Sequence, residues 1–236
     1  MTYLNFSEEK KLWRQGFNFV VGLDEVGRGP LAGPVIAAAV TVRQIPNSKS
    51  QIPKVNDSKK LSQKKREELY EILTNHSAIE WGVGIVSEKV IDKINILEAT
   101  KLSMAKAIDN LISKSQFPLT HRASLRVHSK QTQNSNLRNL KQIDFLLIDG
   151  NFKITSGRPQ KSIVKGDQKV FSIAAASIIA KVTRDRIMQR MHKKYPNYGF
   201  NLHKGYGTAL HMTNLKNYKP CKIHRKTFFP VSSFLN

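Results

Sequence analysis

The chain of 236 residues sets 39 Lys and Arg against 17 Asp and Glu, a net charge of +22, which points to a polyanionic partner. At 40% hydrophobic it can build a core, which excludes a disordered basic tail, and its single cysteine, Cys221, excludes an internal disulfide. No run of about 18 apolar residues offers a membrane span, and the opening MTYLNFSEEKKLWRQGF does not read as a signal peptide, so a cytoplasmic protein is expected.

In chain order, Phe17 to Leu23 reads as a strand that stops at Asp24. After the turn VGRGP, Pro34 to Val42 reads as a second strand, so the two can form a hairpin. Ser62 to Leu73 has the spacing of a short amphipathic helix with Ser62 as N-cap. IEWGVGIVS (79–87) is a third strand and Ile96 to Ile112 a helix. Leu111 to Gln142, rich in Lys, Arg, Ser, Asn and Gln and free of acids, reads as a helix end followed by a basic loop. IDFLLIDGN is a continuous apolar run that stops at Asp149 and Gly150, the pattern of a buried strand ending in a tight turn. Ser172 to Met191 is the clearest helix, and YPNYGFNLHKGYGTALH beyond it is turn-rich.

Alternating strands and helices predict an α/β sheet whose functional groups gather at strand ends. From Arg186 onward there are Lys and Arg but no Asp or Glu, a surface suited to a polyanion, or a tail.

Asp24, Glu25 and Asp149 lie at two strand ends, and Asp167 lies in the polar loop VKGDQKV. If those strands are neighbours the acids converge, and like charges gathered together need a cation between them. Carboxylate oxygens suit Mg²⁺ or Mn²⁺, and two such ions can activate water against a phosphodiester. Successive strand residues face opposite ways, so Asp24 and Glu25 share a site only if the strand ends between them, which Gly27 permits. The bland alternatives differ: Asp149 before Gly150 is by itself a turn former, Asp167 in a Gly-Asp loop needs no catalytic role, and Asp185 beside Lys181, Arg184 and Arg186 suits a surface ion pair. In Gly27-Arg28-Gly29 two residues without a Cβ bracket a cation, so main-chain N–H groups can approach a phosphate or sugar, although such a tripeptide also makes an ordinary turn.

GLDEVGRGPLAGPVIAAAV, DSKKLS, INILEAT, IDG, KGDQKVFSIAAASIIAKVTRDR and YPNYGFNLHKGYGT, in order from residue 20 to about 230, resemble the bacterial type 2 ribonuclease H family. The resemblance implies a ribonuclease H-like α/β domain, a mixed sheet flanked by helices (1–191, with 111–142 as a basic loop insertion), and a small basic helical C-terminal extension (192–236). It implies a monomeric endonuclease that cuts the RNA strand of RNA/DNA hybrids and the 5′ side of single ribonucleotides in duplex DNA. Asp24, Glu25, Asp149 and Asp167 would be the catalytic metal ligands for Mg²⁺ or Mn²⁺, with Asp185 in reserve for the fourth. Gly27, Arg28 and Gly29 would hold the RNA-to-DNA junction and Tyr206 would pack on the deoxyribose, although Tyr206 fits a half-buried loop aromatic equally well. Lys59, Lys60, Lys165 and Lys181 would grip phosphates.

The 111–142 stretch is longer than the corresponding connection in typical members. The final FFPVSSFLN is apolar enough to dock a sliding clamp, though packing back onto the body is favoured. The rivals are a non-catalytic RNA-binding protein and another two-metal nuclease such as a resolvase. A zinc site at Cys221 and His224 lacks a second ligand pair.

Overall fold

The computed structural model describes residues 4, 6–43, 55, 61–114 and 143–235. In chain order the elements are α1 (Ser7–Arg14), β1 (Val20–Val26), β2 (Val35–Val42), α2 (Gln63–Asn75), β3 (Ile79–Val86), α3 (Glu88–Lys114), β4 (Phe145–Asp149), β5 (Gln160–Ile163), α4 (Phe171–Lys194), α5 (Phe200–His203) and α6 (Ala209–Tyr218). The sheet order is β3-β2-β1-β4-β5. β2 runs antiparallel to both of its neighbours, β1 and β3, so the expected hairpin forms, whereas β4 pairs parallel to β1 and β5 parallel to β4. The expected mixed sheet between helices is therefore present.

β1 is central, and its run VVGLD is buried throughout. Its even positions face α4 and its odd positions face α3: Val20 packs with Ile173, and Val21 and Leu23 pack with Met104 and Leu111. All of β2 is buried, and Ala37, Ala38 and Ala39 keep its two faces low enough for a helix on each. β3 meets α3 even more closely, because a Cβ at Gly84 would stand 1.9 Å from the Ser103 carbonyl oxygen.

Several boundaries differ from expectation. β1 starts at Val20 and continues through Val26, paired with β2 as far as Val26 and Ile36. The helix expected from Ile96 is the second limb of α3. Asn95, in the left-handed region at φ 65°, kinks the helix there, and its Oδ1 accepts from the Leu97 and Glu98 N–H groups. Ser62 caps α2 as expected by accepting from the Lys65 N–H at 3.3 Å. Only the first residues of the expected 111–142 loop, as far as Lys114, fall among the described residues, and they end α3.

α1 and β5 had no clear sequence signal. α1 is fixed from a distance: buried Glu9 accepts from the Ser172 N–H (2.9 Å) and hydroxyl (2.7 Å), capping α4, whose own N-cap Val170 has no side-chain acceptor. At the other end, residues 223–225 lie along 31–33, with Gly33 N–H donating to the Ile223 carbonyl and Arg225 N–H to that of Leu31. The C-terminal segment packs back, as favoured, with Val231 buried beside Leu31 and Leu215, but Phe229 is 82% exposed. No helix among the described residues is long and apolar enough to cross a membrane.

Candidate active site

The β1–β4 register runs from Val20 opposite Phe145 to Leu23 opposite Ile148. One step further it sets Asp24 beside Asp149, both on the α4 face. Asp24 is buried, accepts from the Glu25 N–H at 2.7 Å and from the Ser177 side chain of α4. Glu25 lies inside the strand rather than past its end, contrary to the sequence expectation. It reaches the site because β4 stops at Asp149, leaving the end of β1 uncovered on that side.

Asp149 Oδ1 accepts from the Gly166 N–H at 2.6 Å. That bond holds the turn Gly166–Gln168 against the strand end, and with it the buried Asp167. Lys165, exposed and left-handed at φ 56°, leads into the turn.

Burial, then the charges of Glu25 and Asp149, raises the Asp24 carboxyl well above the ordinary range. Burial also raises Glu25, opposed by Arg28, whose Nη1 lies 3.3 Å from Glu25 Oε1, while Asp149 adds to the rise. Glu25 Oε2 is buried without a hydrogen-bond partner. Among the described residues no three acid, histidine or cysteine side chains form a ready-made metal cage. What is present is a set of mutually repelling carboxylates and an orphaned oxygen that a divalent cation would satisfy.

Asp185 lies elsewhere, eight residues beyond Ser177 on α4 and so about 12 Å along the helix. It forms the expected ion pair, with Lys181 at 2.9 Å, but the pair is not a surface one because Asp185 is buried. Lys59 and Lys60 lie outside the described residues.

The loop 27–34 leaves the end of β1 and is held by two arginines that in the sequence look no different from surface charges. Arg184, fully buried, donates to the carbonyls of Pro34 (3.0 Å), Ala32 (3.1 Å) and Lys204 (2.9 Å). Arg225, also fully buried, donates to those of Gly27, Arg28 and Gly33. The basic C-terminal segment is therefore not wholly a polyanion-facing surface. Gly27 is left-handed at φ 92°, and a Cβ there would stand 2.3 Å from Arg184 Nε, so only glycine fits.

Tyr206 is 42% exposed and borders this loop: its ring is the nearest neighbour a Cβ at Gly29 would meet, and the Arg184 guanidinium lies 5.9 Å from its centroid. Arg28, its side chain 45% exposed, projects from the same loop over Phe152. Gly27, Arg28, Gly29 and Tyr206 thus sit together at the end of the strand that carries Asp24 and Glu25. Cys221 and His224, which the sequence offered only as an incomplete zinc pair, are joined to each other: Cys221 N–H donates to His224 Nδ1, and His224 Nε2 lies 3.0 Å from His211 Nε2.

A mixed five-stranded sheet between helices, with buried Asp24 and half-buried Asp149 abreast on adjacent parallel strands, defines a ribonuclease H-like α/β protein. The chain belongs to the ribonuclease HII family, whose model, described as Ribonuclease HII, matches residues 21–231. It is 47% identical over 223 residues to the ribonuclease HII of Chlamydia caviae (94% of this chain, 90% of that protein). It is 46% identical over 220 residues to that of Caldanaerobacter subterraneus subsp. tengcongensis (93% and 78%). Among solved structures it resembles the PCNA:RNase HII complex from Archaeoglobus fulgidus, with TM-score 0.63, 25% identity, and 89% of this chain and 95% of that one covered. The protein is accordingly an endonuclease of the ribonuclease H type.

Proposed function

We propose that this ribonuclease H cuts the RNA strand of RNA/DNA hybrids and the 5′ side of single ribonucleotides in duplex DNA, leaving 3′-hydroxyl and 5′-phosphate ends. The observation that carries the proposal is that acids and junction loop share one strand: β1 bears Asp24 and Glu25 and then turns directly into Gly27-Arg28-Gly29 beside Tyr206. A reader of the 2′-hydroxyl placed there is within a nucleotide of the cutting centre.

Asp24, Glu25, Asp149 and Asp167 would hold divalent cations, Mg²⁺ or Mn²⁺. The buried, unpartnered Oε2 of Glu25 and the raised carboxyl of Asp24 fit that demand. When bound, such ions supply an activated water and offset charge on the phosphate. The chain's own residues do the rest. Ser177 and the Glu25 N–H orient the Asp24 carboxylate, and Gly166 orients that of Asp149. Arg28, Gly27 and Gly29 hold the junction through main-chain N–H groups and one guanidinium, and Tyr206 packs on the deoxyribose. Lys165 and Lys59 bind phosphates and fix register without reading sequence.

The protein would work as a cytoplasmic monomer. A sliding clamp is a further proposed partner, because the A. fulgidus relative is described as a PCNA complex and Phe229 stands exposed at the C-terminal end of this chain. Mapping the cut on a duplex with one ribonucleotide tests the proposal. A cut on its 5′ side is expected, and an intact single-ribonucleotide duplex alongside a cleaved hybrid would contradict it.

A further inference from the structure

We infer that His224 and Arg225, consecutive residues of the C-terminal segment, are positioning residues that set the two halves of the junction reader, Arg225 the Gly27–Gly29 main chain and His224, acting through His211, the loop of Tyr206. The inference rests on the assignment of those residues as the reader.

The Arg225 half follows from peptide geometry. Its Nη2 donates to the Gly27 carbonyl at 2.5 Å, its Nη1 to the Arg28 carbonyl at 2.8 Å, and its Nε and Nη2 to the Gly33 carbonyl at 3.0 and 2.9 Å. Both peptides concerned are trans, so each carbonyl points opposite to the N–H of the next residue. Drawing the Gly27 and Arg28 carbonyls inward onto a buried guanidinium turns the Arg28 and Gly29 N–H groups outward, where a sugar or phosphate oxygen can meet them. The task suits arginine, whose rigid planar fork presents several donors at fixed angles, whereas a lysine ammonium at the end of a flexible stem cannot span three carbonyls in the same way.

The His224 half is a chain of neutral imidazoles. The Cys221 N–H donates to His224 Nδ1 at 2.9 Å, so the His224 proton is on Nε2 and points at His211 Nε2, 3.0 Å away. His211 therefore carries its proton on Nδ1, which donates to the Tyr206 carbonyl at 2.9 Å. His211 also stacks on His203, with ring centroids 4.3 Å apart, and His203 Nδ1 accepts from the Gly205 N–H at 3.1 Å. Both ends of the Tyr206 loop are thereby tied to the segment that holds Gly27 and Arg28. A direct bond from Leu31 N–H to the Gly205 carbonyl, 2.8 Å, joins the two loops.

The test compares kcat/KM on a duplex with one ribonucleotide and on a continuous RNA/DNA hybrid for Arg225→Lys and for His211→Phe, which keeps the ring stack but loses the bond to Tyr206. Arg28→Ala and Tyr206→Ala serve as reader controls, and melting curves establish folding. The ratio of the two kcat/KM values should fall by about tenfold or more in each folded variant, the loss appearing mainly in KM for the single-ribonucleotide duplex. A merely structural role would lower both substrates alike. If the controls change the ratio and folded Arg225→Lys and His211→Phe do not, the positioning inference fails and the reader stands. If the controls leave the ratio unchanged, the reader assignment fails and the inference with it. Should neither variant fold, amide exchange in the unmodified protein decides: Arg28 and Gly29 should exchange fast when free and slowly on the uncut duplex in EDTA. Slow exchange in the free protein would overturn it.

Discussion

Asp24 and Asp149 stand abreast on adjacent parallel strands, one step beyond the Leu23–Ile148 pair that closes the β1–β4 register. Asp24 is held there against its own preference, since burial and the neighbouring carboxylates favour its neutral form. Its folded-state pKa therefore exceeds the unfolded value of 3.8. Between those two values the folded state binds more protons at Asp24, so the contribution of this one group to metal-free stability is highest below the unfolded pKa and declines as pH rises through the folded one. Melting curves against pH in EDTA should show this decline, which Asp24→Asn should flatten while abolishing cleavage. Equal slopes in the two proteins would contradict the assignment.

The histidine cluster predicts the opposite limb. Burial lowers His211 and His224 to about 4 from an ordinary 6.5. The unfolded chain takes up these protons first, so the stabilising contribution is complete above about 6.5 and is lost as pH falls towards about 4. His211→Phe should make the acid limb of the melting-temperature profile shallower, and an unchanged limb would show that the cluster is not what titrates.

Close packing of β3 on α3 leaves no room for a methyl group at Gly84, where an added Cβ would meet main-chain atoms at 1.9 and 2.6 Å. Gly84→Ala should cost about 3 kcal/mol, lowering Tm by roughly 10 °C. Little change in Tm would mean that the helix sits further from the sheet.

With +22 net charge, phosphate contacts should dominate affinity for the duplex. If about six phosphates are neutralised, affinity should fall on the order of 10³-fold between about 50 and 200 mM salt, which titration of a labelled hybrid will measure. A flat salt response would leave the charge without its proposed partner.

The end of β4 was legible because a continuous apolar run that stops in Asp149 and Gly150 has few other meanings, whereas β1 runs on past Asp24 to Val26. The geometry of Glu25 was not, since it depends on where β4 ends rather than on β1. The arginines were the main omission. An isolated Arg reads as surface charge, and the carbonyls that bury Arg184 and Arg225 arrive from residues 150 and 198 positions away. β5, short and polar at a sheet edge, and α1, fixed through Glu9 to a helix 163 residues distant, depend equally on non-local partners. Asp185 looked like a surface pair because its partner is local, whereas its burial comes from the packing around α4.

Asp149→Asn tests the central claim most directly, because it keeps the side chain's shape and its oxygen for the Gly166 N–H while removing the charge. Cleavage and binding of an RNA/DNA hybrid would be measured together in Mg²⁺. Cleavage should fall by about 10³-fold or more with binding retained or improved. Cleavage at the unmodified rate would place the chemistry somewhere other than the ends of β1 and β4.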